Sequence, residues 1–158
     1  MSLLATYLND HLAASTGATE LVKRTASSNR GNGYGEVLAG LAVEIEEDRR
    51  TLEAMMERLG VGRDRVKSTL TWSAEKLGRF KLNGRLLSYS PLSRLEEIEL
   101  LCLSVEGKLG LWKSLRTALA EDSRLDAFDL DELAERARSQ RRRLERLRLK
   151  AAEDALTA

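Results

Sequence analysis

Along Glu36–Leu59, Leu38, Leu41, Ile45, Leu52, Met55 and Leu59 recur at steps of three and four, with one gap. That spacing is the apolar seam of an α-helix packed in a bundle. The gap falls on Asp48. A carboxylate at a seam position needs a partner, a metal or water, because burying it bare costs several kcal/mol.

The same period predicts three more long helices. The first spans about Ser2 to Thr25, with Ser2 as N-cap and Leu4, Leu8, His11, Ser15, Ala18 and Val22 on one face. Gly17 weakens it by ~1 kcal/mol relative to alanine. It ends in the glycine-rich run Gly31-Asn32-Gly33-Tyr34-Gly35. No strand precedes that run, and it lacks the spacing and the Lys-Ser/Thr of a phosphate loop, so it reads as a flexible turn between antiparallel helices. Gly60 closes the Glu36–Leu59 helix. The third long helix opens at Ser90-Pro91, a cap followed by proline at the first helical position, and runs to about Leu119. Leu100, Leu101, Cys102, Leu103, Val105, Leu109, Leu111 and Trp112 surround it, so it is expected to be the most buried helix, with Gly107 and Gly110 admitting a close neighbour. The fourth starts at Asp129-Leu-Asp-Glu132, a capping-box-like arrangement. Its seam is Leu130, Leu133, Ala137, Leu144, Leu147 and Ala151, and its end is expected to fray after Ala152.

Between the two helical pairs lies a crossover at about 60–91. Val66, Leu70, Ala74 and Leu77 give it a short amphipathic helix with a basic outer face. The predicted fold is all-α: a single domain over 1–158, built as a four-helix bundle of two antiparallel helical hairpins joined by a long crossover that carries a short extra helix. The crossover is long enough to run the length of the bundle and return the third helix parallel to the second, which is the ferritin-like connection. A five-helix irregular bundle is the alternative.

Polar residues fall at similar heights in the four long helices. They are His11, Asp48 with Glu44 one turn before it, Glu106 with Glu99 on the same flank, and Gln140 beside Arg141. Two readings follow. His11, Glu44, Asp48, Glu99 and Glu106 are ligand types for Fe, Mn or Zn. A di-iron bundle, however, needs a Glu-x-x-His on each of two helices. Glu-x-x-His occurs nowhere in this chain, and His11 is its one histidine. The second reading is a structural layer that fixes register, with His11 donating to Asp48 and Arg141 pairing with Glu106. The structural layer is favoured, with no cofactor expected.

The stretches Tyr7–Ser15 (YLNDHLAAS) and Lys81–Glu97 (KLNGRLLSYSPLSRLEE), set in a pair–crossover–pair order with inward acids, resemble the ferritin-like superfamily. Within it the chain is most similar to the YciE/YciF-like stress proteins and to uncharacterised bacterial relatives. The resemblance covers about Ser2 to Ala152. It implies a ferritin-like bundle whose inner acids bind di-iron or descend from residues that did.

Composition narrows the partners. Formal net charge is +1, so no global field calls for nucleic acid or membrane. The charges are segregated: Arg136–Lys150 is basic, whereas Glu44–Glu57 and Glu121–Glu135 are acidic. The basic run reads as a solvated or salt-bridged face, with nucleic-acid binding as the alternative. A single cysteine, Cys102, excludes an intrachain disulfide and fits a reducing compartment. Among apolar neighbours it reads as a buried hydrophobe rather than a nucleophile. The N-terminus has neither a basic n-region nor a long apolar run, and no stretch approaches ~20 apolar residues, so a cytoplasmic protein without a membrane partner is expected. Trp72 and Trp112 read as packing anchors. The expected function is non-enzymatic, through self-association as a homodimer. The alternatives are a metal-binding oxidoreductase or stress protein of ferritin-like type and a nucleic-acid-associated helical protein.

Overall fold

The computed structural model describes residues 2–64 and 89–157. They form four long helices, α1 Leu3–Ser28, α2 Gly35–Arg58, α3 Pro91–Ala118 and α4 Leu130–Leu156, with a short 3-10 turn Ser123–Leu125 before α4. Among the described residues there is no strand. The short helix expected in the crossover, with Trp72, lies outside the described residues.

Local chemistry sets the helix ends. Ser2 Oγ accepts from the Ala5 amide at 3.1 Å, Ser90 Oγ from Ser93 at 3.1 Å, and the Asp129 carboxylate from Glu132 at 2.9 Å. Each satisfies an amide that the first helical turn leaves unpaired. At the end of α2, Gly60 takes φ +70°. The Gly60 amide donates to the Glu57 carbonyl at 3.1 Å and the Val61 amide to Met56 at 2.8 Å, which is the Schellman closure.

Two ends differ from expectation. α1 runs past Thr25 to Ser28, because the buried Thr25 hydroxyl turns back onto the Leu21 carbonyl and the buried Asn29 amide onto Thr25. α4 does not fray after Ala152 but continues to Leu156, since its last turns are tied down. Ala151 is fully buried, and Asp154 accepts from the Tyr34 hydroxyl at 2.7 Å.

The loop between α1 and α2 is a hydrogen-bonded turn. Asn32 Oδ1 accepts from the amides of Tyr34 (3.0 Å) and Gly35 (3.3 Å), so it caps α2 from outside the helix. Gly35 packs so tightly that a Cβ there would lie 2.3 Å from the Asn29 carbonyl oxygen. Position 35 therefore admits only glycine without rearrangement.

Contacts between helices give the topology. Lys23 meets Glu46, so α1 and α2 are antiparallel; Arg116 meets Asp131 and Glu106 meets Arg141, so α3 and α4 are too. Thr25 and Asn29 at the end of α1 meet Glu97 and Arg94 near the start of α3. At the other end, Asn9 holds the chain just after α2, accepting from the Asp64 amide at 2.7 Å and donating to the Gly62 carbonyl at 3.0 Å. Tyr89 sits by contrast against Asn29. Asn9 and Asn29 are about 30 Å apart along α1 at 1.5 Å per residue. The chain thus re-enters at the opposite end of the bundle, and α3 runs parallel to α2.

The seams of α2 and α4 are buried as their periodicity predicts, including Asp48 and Gln140, except that Leu130 at the start of α4 is only half-buried. On α1 the face is rotated: Leu12 and Thr19 are buried, while His11 and Ser15 are only half-buried. α3 is not buried all round. Its seam is Ile98, Leu101, Val105, Lys108, Trp112 and Leu115, whereas Leu103 is 68 % exposed and Leu100 and Cys102 are half-buried. Gly107 and Gly110 face open space among the described residues rather than a close neighbour. Trp112 is the packing anchor expected of it, 1 % exposed.

Candidate functional site, a buried polar layer at mid-bundle

Asp48 stands at the centre of a charged layer drawn from α2, α3 and α4. Its Oδ2 accepts from Lys108 Nζ and from Gln140 Nε2 at 3.0 Å, and its Oδ1 accepts from Arg136 Nη2. Lys108 also donates to Gln140 Oε1 at 2.5 Å. Gln140 Nε2 reaches Glu44 Oε2 at 3.2 Å, and Arg143 clamps Glu44 through both terminal nitrogens, at 2.8 and 2.5 Å. Arg136 extends the chain to Glu47 at 3.7 Å, at the solvent edge. Asp48, Lys108 and Gln140 are buried, at 2, 8 and 0 % exposure.

Three acids, Glu44, Glu47 and Asp48, meet three cations, Lys108, Arg136 and Arg143, so the layer is neutral. Donors outnumber acceptors. Asp48 takes three donors, while the Nε–H groups of Arg136 and Arg143 find no acceptor among the described residues. Burial pulls the Lys108 pKa below its ordinary value, and the Asp48 charge opposes that pull. Hydrogen bonds from Arg143 hold Glu44 below the usual carboxylate range against the opposing effect of its burial.

Of the five residues considered as metal ligands, Glu44 and Asp48 come together. Glu106 pairs with Arg141 at 2.8 Å as the sequence suggests, but at the surface, both side chains being 55 % exposed. Glu99 lies 3.7 Å from Arg148 on the α3–α4 flank. His11 does not donate to Asp48. It lines a cavity of about 130 Å3 between α1 and α3, together with Ser15, Leu103 and Lys108. Its ring packs edge-on to Tyr7 at 4.6 Å between centroids. Burial lowers its pKa, and Asp10 partly offsets this. Among the described residues no three His, Cys, Asp or Glu side chains gather as a metal-binding set.

Sequence reasoning passed over Lys108, Arg136 and Arg143, and for Lys108 the signal was present. Counting by threes and fours from Ile98 lands on Leu101, Val105, Lys108, Trp112 and Leu115. Lys108 thus breaks the α3 seam as Asp48 breaks that of α2. Among so many nearby leucines, the true stripe was not separated from its flanks.

A second polar cluster locks the end of the bundle near the α1–α2 turn. Asn29, fully buried, donates to the Thr25 carbonyl and the Tyr89 hydroxyl, both at 2.8 Å, and accepts from Arg94 Nε at 2.6 Å. The Tyr89 hydroxyl passes its proton toward Glu97 at 3.1 Å. Arg94 also stacks over the Tyr34 ring, 4.5 Å from its centroid. Burial and the Asp154 carboxylate push the Tyr34 phenol up to about 12.

No family model, no curated protein and no solved structure matches this chain. No helix among the described residues is long and apolar enough to cross a membrane.

Proposed function

We propose that the chain is a non-catalytic bundle of ferritin-like connection that acts by association with a copy of itself. Its mid-bundle layer then sets helix register and orientation. The Asp48 carboxylate carries this reading: Lys108 and Gln140 on Oδ2 and Arg136 on Oδ1 take three of its roughly four lone-pair sites, which leaves little of it for a metal or a substrate. The parallel run of α2 and α3 supports the ferritin-like connection. Polar side chains at a few seam positions are the known means by which bundles specify register at some cost in stability.

A second reading, a metal-binding oxidoreductase of the same connection, has one observation in its favour. Glu44 and Asp48 converge on the same nitrogen of Gln140, 3.2 and 3.0 Å away. Metal there would have to displace Lys108 and Gln140.

Elemental analysis and sedimentation test the two together. The first reading expects less than 0.1 equivalent of Fe, Mn or Zn after growth in supplemented medium, and a concentration-dependent dimer, those figures being about what adventitious binding and weak association give. One equivalent of metal, lost on Asp48→Ala, would establish the second reading instead. A monomer at every concentration up to the millimolar range would remove self-association.

A further inference from the structure

We infer that the outer face of α4 is a contact surface for the backbone of a nucleic-acid duplex, with Arg138, Arg142 and Arg146 as its phosphate-binding row. The fold divides the basic run of Arg136–Lys150 into two sets with different roles. Arg136 and Arg143 turn inward onto Asp48 and Glu44, and Arg148 binds Glu145 and Glu99 on the α3 side. Arg138, Arg141, Arg142 and Arg146 instead line a shallow outer groove of about 460 Å3, with Glu145 the acid in its wall.

Positions 138, 142 and 146 are one helical repeat apart. Their Cα atoms therefore stand about 6 Å from one another, a straight row of about 12 Å. A duplex presents one charge per ~1.7 Å of axis, so such a row faces several phosphates at once. Guanidinium forks match phosphate oxygens two by two.

The groups now neutralising the row are easily displaced. Arg138 and Arg142 share one carboxylate, Glu135, each at 3.1 Å, and Glu135 is 60 % exposed. Exposed pairs of this kind contribute little and are screened by salt. Arg146 is exposed and has no ion pair among the described residues.

The rest of the face selects the partner. It offers no aromatic side chain for stacking on single-stranded bases and no amide for reading base edges, so contact is to the backbone and is independent of sequence. A membrane surface fits less well. The apolar stripe of α4 is buried in the core, and Leu149 is the large apolar side chain left exposed on the helix before its last turn.

The test is fluorescence anisotropy of a labelled 20-bp duplex titrated with the full chain from 20 to 200 mM salt. Binding at 20 mM is expected, with a log–log salt slope of about −2.7 for three phosphates. Arg138→Gln/Arg142→Gln/Arg146→Gln should weaken it at least about tenfold, while Arg50→Gln on α2 should not. Unchanged helicity by circular dichroism separates loss of contact from loss of fold. No binding at 20 mM salt overturns the proposal, as does a triple variant that binds like the parent. So does tighter binding to vesicles containing anionic lipid than to the duplex, which would make the face a membrane contact.

Discussion

Lys108, in the middle of α3, donates to the carboxylate of Asp48, in the middle of α2, sixty positions earlier in the chain. The two helices belong to different hairpins and run parallel, so this buried pair sets the register of one hairpin against the other. Arg136 and Gln140 bring α4 into the same contact.

The pair should show strong coupling. Lys108→Met leaves Asp48 with one cation fewer, and Asp48→Leu leaves an ammonium buried without its carboxylate. Each should cost about 3 kcal/mol, the usual range for breaking a buried pair from one side. The double variant removes both desolvation costs and should lose less than the sum by at least ~1 kcal/mol. Urea unfolding of the four proteins measures the cycle. Additive losses would show that Asp48 and Lys108 do not act as a unit.

How far the layer was legible follows from where each signal lies. Asp48 and Gln140 stand out because their seams are otherwise apolar and regular. Lys108 is obscured because Leu100, Leu103 and Leu109 flank its stripe, and only the packing shows that Leu103 is outside it. His11 misleads for the opposite reason. It shares a helical face with Leu8 and Ala18, yet α1 presents Leu12 to the core, a rotation set by partner helices and invisible in α1 alone. The caps Ser2, Ser90 and Gly60 were readable because they depend only on residues a turn away. Asn29 was not, since its partners Tyr89 and Arg94 are about sixty residues off.

Two glycines of α2 should respond oppositely to alanine. At Gly35 the new methyl meets the Asn29 carbonyl at 2.3 Å, so Gly35→Ala should cost about 2–3 kcal/mol by forcing the turn apart. At Gly40 there is nothing within 4 Å among the described residues and the position is exposed in mid-helix. Gly40→Ala should stabilise by up to ~1 kcal/mol through helix propensity. Thermal unfolding of both variants checks the sign; a neutral Gly35→Ala would mean that the turn is looser than its hydrogen bonds indicate.

Asn29→Leu keeps side-chain size and removes every side-chain hydrogen bond. Arg94 Nε loses its acceptor at 2.6 Å and Tyr89 loses its donor, at a site with no exposure. A loss of about 3 kcal/mol is expected for stranding a buried charged donor. For a domain of this size that corresponds to a Tm lower by roughly 6–12 °C. Scanning calorimetry measures it, and hydrogen exchange at the α3 N-terminus should rise in parallel, since Arg94 and Tyr89 anchor that end.

Stability should fall in two separate acid steps. Burial holds the His11 pKa below the ordinary 6.5. The unfolded chain therefore takes up the proton first as pH drops through 6.5, and stability decreases from there. Asp10 is the charge that acts on His11, and it offsets only part of the burial. Glu46 behaves in the carboxylate sense. Hydrogen bonds from Arg49 and then Lys23 hold it at about 2 against an ordinary 4.5, so its contribution is intact above pH 4.5 and is lost between 4.5 and 2. Urea midpoints from pH 8 to 3 should resolve the two. His11→Gln should flatten the profile just below the ordinary 6.5 and leave the lower step. Glu46→Gln should remove part of the lower step and leave the upper one. A His11→Gln profile parallel to the parent through pH 6 would mean that the imidazole is as easily charged in the bundle as in the open chain, contrary to its place in the α1–α3 cavity.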